Sequence, residues 1–341
     1  MSALNIDKLL APIAEDKPTG DDLEYDAQFM ELERVAQGTP ERVMGDSVQP
    51  AEDPDWGDVQ SRAEELFGRT KDLRVAVHLA RAALARHGAP GLADGLRLIE
   101  RLLNRYWDAV HPKLDPEDDN DPTMRMNCLL PLTATTLPIG FVAALRVTPI
   151  VSSPGVGRFS YRDYLIATGE LQSAAQAEPP PDVALIEAAF KDADVGALTE
   201  SHAALDAAFA VVAAIKSAFA ERVSDSPDLD LLQRTVRDIR GWVAERLSQR
   251  GVGAATSEPG AAEGVAPRGA RGEIASREDV VAALERVCDY YQRYEPSSPI
   301  PLLLRRAQRL ARMDFMEILR DMTPGGVAEA ELITGVKANP Q

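Results

Sequence analysis

Apolar residues recur along this chain at spacings of three and four, the period of a helix with one buried face. Leu73, Val77, Ala80 and Leu84 form one stripe, and Leu92, Leu96, Ile99, Leu103, Tyr106 and Val110 form a second that starts near Pro90. Between them, residues 87–91 (HGAPG) place two glycines and a proline where a helix has to stop and restart. The pattern predicts an antiparallel helical hairpin. Upstream, Asp55 is placed to cap a helix carrying Trp56, Val59, Ala63, Leu66 and Phe67, and the three helices together predict the core of an N-terminal domain over residues 1–174.

Three consecutive prolines in AQAEPPPD (175–182) interrupt the helical pattern and predict a stiff spacer. Beyond it, Leu205, Phe209, Val212, Phe219 and Val223 line one helix. Leu229, Leu232, Val236, Ile239, Val243 and Leu247 line another, with SDSPD (224–228) turning the chain between them. A long helical hairpin over 182–250 is expected. Residues 251–272 hold six Gly, six Ala and two Pro and no aromatic residue, too little apolar surface to offset the entropy of ordering, so a flexible linker is expected there. Ser276, with Asp279 in the capping-box position, then opens a helix bearing Val280, Val281, Leu284, Val287, Cys288 and Tyr291. The C-terminal stretch 273–341 is small for an independent core, and its apolar run at Leu302, Leu303, Leu304, Phe315 and Met316 predicts self-association. The fold class is mainly α.

Composition changes this picture in two respects. The chain of 341 residues carries 54 acidic and 37 basic side chains, a net charge of −17, and residues 1–60 hold 15 of the acids with only four bases. A nucleic-acid binder needs clustered Lys and Arg to neutralise phosphates, so that class is disfavoured. The two cysteines, Cys128 and Cys288, lie too far apart for a thiolate zinc motif or a disulfide framework. The N-terminus lacks the basic and apolar regions of a signal peptide, and a cytoplasmic location is expected. Met126 to Leu145 runs 20 residues without a charge, but Pro131 and Pro138 break it, which predicts short buried helices rather than a membrane span.

Candidate chemistry is sparse. His78, His87, His111 and His202 show no metal-ligand spacing, and no nucleophile elbow is present. Pro154-Gly155-Val156-Gly157 is a glycine turn without the Lys-Ser/Thr of a phosphate loop. Asp115, Glu117, Asp119 and Asp121 alternate as calcium ligands can, yet Asn120 and Met126 stand where a calcium loop needs Gly and Glu. Asp121-Pro122 reads better as the start of a helix. A metal-dependent hydrolase using these acids is one rival reading and an acidic all-α adaptor another. Arg305, Arg306, Arg309 and Arg312 form the single basic cluster, three of them on one helical face opposite Leu303, Ala307 and Leu310. A solvated face and an acidic protein partner are both open to that stripe.

Several longer runs are more specific. PIAEDKPTGDDLEYD (12–26), GDSVQPAEDPDW (45–56), RTKDLRVAVHLARA (69–82), RYWDAVHPKLDPEDDNDPTMRMN (105–127) and FSYRDYLIATGE (159–170) resemble the ImpA-type N-terminal region of the TssA family of bacterial type VI secretion systems. DYYQRYEPSSPIPLLLRRAQRLARMDFMEILRDM (289–322) is similar to the end of the short-chain class. The resemblance implies a non-enzymatic cytoplasmic component without a cofactor. It further implies rings or stars built through the C-terminal region, with N-terminal arms engaging baseplate, spike, tube and sheath proteins. Family members divide between the baseplate and the growing sheath end, and the match at 289–322 favours the baseplate. Tyr290, Tyr291, Pro299, Leu302, Leu303, Arg305, Arg306, Phe315 and Met316 are the expected oligomerisation residues, with an intramolecular core as their alternative. Trp107, His111 and Pro112 are expected to pack and to end a helix rather than to bind a ligand.

Overall fold

The computed structural model describes residues 3–39, 42–44, 47–172, 182–223, 225–252, 281, 284–285, 287–288 and 300–310. The chain divides into two compact units, Met1–Ser257 and Glu258–Gln341. It is mainly α. In the first unit, α1 (Ile6–Leu9), α2 (Ala27–Ala36) and α3 (Trp56–Phe67) precede the long α4 (Leu73–Tyr106). Two short helices, α5 (Thr123–Cys128) and α6 (Phe141–Val147), follow; then come α7 (Tyr161–Ala167), α8 (Val183–Asp192), α9 (Val195–Ala220) and α10 (Asp230–Gln249). Two antiparallel hairpins, β1 (Arg42–Met44) with β2 (Ser47–Gln49) and β3 (Pro149–Ser153) with β4 (Gly157–Ser160), are the strands of the described residues.

Part of the chain's acidity has a local purpose. Asp26, Asp55, Asp72, Asp182 and Asp194 each precede a helix, and each carboxylate accepts a hydrogen bond from a first-turn N–H, at 2.9, 2.9, 2.7, 3.0 and 2.7 Å. Those donors have no partner inside the helix, and a negative charge there also meets the positive end of the helix dipole. Asp121 does the same for α5 through the Thr123 N–H at 2.8 Å, although Pro122 is the cap residue, one position later than expected.

The expected hairpin is present inside α4. Gly88 leaves helical geometry at φ 64° and ψ −140°, a left-handed conformation that glycine adopts without the steric cost a Cβ would bring, and Pro90 sits in the first turn of the second arm. The arms (73–87 and 89–106) run antiparallel and touch: a Cβ on Gly95 would overlap Ala80, and one on Gly91 would overlap the Ala83 carbonyl. Leu79, Ala80, Leu84, Leu92, Leu96, Ile99 and Leu103 are all fully buried along this seam and its flanks.

Other elements are laid on this hairpin. α3 packs along α4, α2 on α3, and α9 on α4, with α10 covering α9. Residues 182–250 form three helices rather than two and belong to the same compact unit as the N-terminal residues. The additional helix, α8, buries Ile186 and Phe190. By length and composition α9 is the one helix among the described residues apolar enough to cross a membrane; here Leu205, Ala208, Val212, Ile215 and Phe219 are buried within the unit. The 126–145 run breaks at its prolines into α5, a 3-10 turn at Leu130–Leu132 and α6.

All of the expected spacer (175–182) but Asp182, most of the linker and the capping pair Ser276 and Asp279 lie outside the described residues. In the second unit, residues 281, 284–285 and 287–288 are helical, and α11 (Ile300–Leu310) is amphipathic. Gln308 Nε2 donates to the Val281 carbonyl at 3.3 Å.

Candidate functional site

The residues that carry the longest matched runs converge on the open end of the α4 hairpin. Thr19–Glu24 crosses that end as a strap. Lys71 N–H donates to the Thr19 carbonyl at 2.7 Å, and Thr70 Oγ1 donates to the Asp21 carbonyl at 2.7 Å. The hairpin is closed by backbone bonds from Leu73 N–H to the His111 carbonyl, 2.9 Å, and from His111 N–H to the Lys71 carbonyl, 3.0 Å. The His111 ring reaches the Gly20 carbonyl through Nε2 at 3.2 Å. Asp72 is fully buried, caps α4 and holds Arg74 at 2.7 Å, while Asp22 and Glu24 of the strap reach the same guanidinium at 3.2 and 3.1 Å. A buried carboxylate needs such a partner and such hydrogen bonds to stay ionised.

Two further cations are buried beside it without a paired carboxylate among the described residues. Lys71 is 2% exposed and donates from Nζ to the Phe67 carbonyl at 2.7 Å. Burial, with nearby Arg105 adding to it, lowers its pKa to about 8. Arg125 is fully buried and donates to three carbonyls of the turn that ends α4: Trp107 at 2.6 Å, Pro112 at 2.8 Å and Val110 at 2.9 Å. Its pKa is pushed down by burial to about 10, against the opposing pull of Asp108 and Cys128. The guanidinium fork suits this task because its rigid donors can answer several acceptors at once.

Trp107 stands between Arg125 and Arg222, whose guanidinium carbons lie 5.1 and 5.3 Å from its ring centre, and meets Phe219 of α9 edge-on at 5.2 Å. Trp107, His111 and Pro112 thus pack and terminate the helix, His111-Pro112 being a cis peptide. Arg125 was missed because it reads as an ordinary charged residue of an exposed helix; its only sequence signal is its place inside the 105–127 run.

The other candidates separate. Asp115 caps the 3-10 turn Pro116–Asp118, with its carboxylate accepting from the Glu117 N–H at 2.9 Å. No group of three His, Cys, Asp or Glu among the described residues is arranged to hold a metal. The glycine turn 154–157 joins β3 to β4, and Asp192 of α8 fastens it by accepting from Ser153 Oγ at 2.6 Å. Of the expected oligomerisation residues, Leu303, Arg305 and Arg306 are exposed on α11, Leu303 at 64%, and Leu302 occupies the same helix. Tyr290, Tyr291, Pro299, Phe315 and Met316 lie outside the described residues.

Exposed apolar side chains mark a surface the sequence did not suggest. Met124, Leu130 and Leu231 are 57, 62 and 37% exposed, and a groove of about 390 Å³ runs between residues 126–133 and 226–231.

Comparison with known proteins agrees with this geometry. Residues 10–134, which contain the strap, the hairpin and the Arg125 turn, match the family described as ImpA, N-terminal, type VI secretion system. The chain is 46% identical to the type VI secretion system component TssA1 of Pseudomonas aeruginosa, over 97% of this chain and 98% of that protein. Its structure is similar to the N-terminal domain of the TssA component of the type VI secretion system from Burkholderia cenocepacia, which includes the ImpA_N region. The TM-score is 0.59 and the identity 27%, over 74% of this chain and 96% of that one.

Proposed function

The chain belongs to the TssA family of type VI secretion system components, and from that premise we propose that it is a non-enzymatic cytoplasmic assembly subunit. Copies gather through the C-terminal unit into a ring or star at the baseplate, and the Met1–Ser257 units serve as arms that engage baseplate, spike, tube and sheath proteins. The observation that carries this reading is the near end-to-end correspondence with TssA1, 46% identical over 97% of the chain. The buried polar groups of the matched segments support it: Asp72 caps α4 and pairs with Arg74, and Lys71 and Arg125 donate to backbone carbonyls, which builds a rigid arm and leaves none of them in an open cleft for chemistry. Many arms on one particle let weak single contacts add up through effective concentration.

Deleting residues 273–341 is expected to reduce the particle to monomers or small oligomers while the arm keeps its helical content. Light scattering measures this, and a truncated chain that retains the full assembly defeats the division of labour. Co-purification of the intact chain with baseplate or sheath components tests the place in the machine.

A further inference from the structure

Two adjoining grooves open on the arm and share Asn127 as a wall. The first, about 390 Å³, is lined by Met126, Leu129, Leu130, Pro227 and Leu231, among others. The second, about 300 Å³, has Val77, Pro131 and Ile139 as its apolar lining. Their polar groups are unevenly charged. His78 and Cys128 in the second groove are neutral around pH 7, because burial holds the imidazole down at about 4 and the thiol up at about 12. Arg74, the one cation lining either groove, is already matched by Asp72, Glu24 and Asp22. Asp228 in the first groove and Glu33 in the second are exposed, and among the described residues neither has an ion-pair partner. An apolar lining with one exposed carboxylate in each groove, Asp228, which accepts the Asp230 N–H at 3.0 Å, and Glu33, is complementary to a leucine-bearing helix with a basic face. α11 of a second copy shares this character, with Leu303 and Arg305 exposed, and light scattering tells it from an outside partner.

We propose that the paired groove around Asn127 docks an amphipathic, basic helix of another protein, whose apolar side chains enter between Leu130 and Leu231 and whose cations meet Asp228 and Glu33. This surface belongs to the arm and does not depend on how the C-terminal units gather.

The test uses the intact protein and a fluorescently labelled 14-residue peptide with leucines at helical spacing and lysines elsewhere, followed by anisotropy. The same peptide with glutamates in place of lysines is expected to bind at least about tenfold more weakly. Leu130→Glu on the protein is expected to weaken the lysine peptide by about tenfold or more. The direction is diagnostic, because this substitution adds negative charge and would strengthen a merely ionic attraction. Asp228→Lys should weaken binding about threefold to tenfold. Leu130 is 62% exposed, so an unchanged thermal melt of the variant shows that the fold is intact. Equal binding to wild type and Leu130→Glu, or equal binding of the two peptides, overturns the proposal. Light scattering of Leu130→Glu separates the occupants: an unchanged particle supports an outside partner, whereas a smaller particle means that another copy fills the groove and overturns it.

Discussion

The open end of the α4 hairpin and the α9–α10 layer lie in one compact unit but are held by different physics. At the hairpin end the binding groups are polar and few: Arg125 on three carbonyls, Asp72 on Arg74, Lys71 on the Phe67 carbonyl. In the α9–α10 layer they are apolar and many, with Leu205, Val212, Ile215, Val236, Ile239 and Val243 all fully buried. Polar burial is unforgiving, since a group that loses its partner forfeits the whole desolvation cost. Apolar burial degrades gradually with each methylene removed. The contrast bears on the family match: residues 10–134, the segment that matches the ImpA N-terminal family, include the polar end, whereas α9 and α10 lie outside it.

The largest expected effect is therefore Arg125→Met, which nearly conserves volume but leaves the Trp107, Val110 and Pro112 carbonyls without their donor. A loss of about 3–5 kcal/mol in chemical denaturation is expected. A loss below about 1 kcal/mol would break the comparison.

Gly95→Val comes next. A Cβ at this position already overlaps Ala80, so the arms must part, at about 3 kcal/mol in the same measurement.

Lys71→Met sharpens the contrast through pH. The folded pKa of about 8 lies below the usual 10.5, so the unfolded chain binds more protons between these values. Stability then rises as pH climbs through that window, by about 3 kcal/mol. Urea midpoints at pH 7.5 and 10.5 should show this gain in the wild type and its loss in Lys71→Met.

The smallest effect belongs to the apolar layer, where Ile239→Val should cost about 1 kcal/mol.

Much of this unit was legible because its determinants are local. Gly88 and Pro90 mark the hairpin turn, and Asp55 marks a helix start within two residues of the bond it makes. The α8 helix was legible in principle, since Asp182, Ile186 and Phe190 sit at cap and helical spacing, but the run is only ten residues long. The strands β3 and β4 are shorter still, five and four residues, too few for alternation to stand out from noise. The role of Arg125 could not be read, because its carbonyl acceptors lie 13 to 18 residues away and are backbone atoms that no side-chain pattern reports. The grooves escaped for a related reason: Leu130 and Leu231 are 101 positions apart and share a surface only once α10 is in place.

The anchoring of residues 3–10 has a consequence for the order of events during synthesis. Ala3 and Leu4 donate their N–H groups to Asp94 at 2.7 and 3.3 Å, and the Leu10 carbonyl accepts from Tyr106 Oη at 2.8 Å. These acceptors and donors are made some ninety residues later, so α1 can form its own local bonds but must wait for these anchors until the second arm of the hairpin has left the ribosome. Closing so long a loop is slow compared with forming the helices it joins. Residues 3–10, translated well ahead of these partners, are thus among the later ones in their unit to reach their native places.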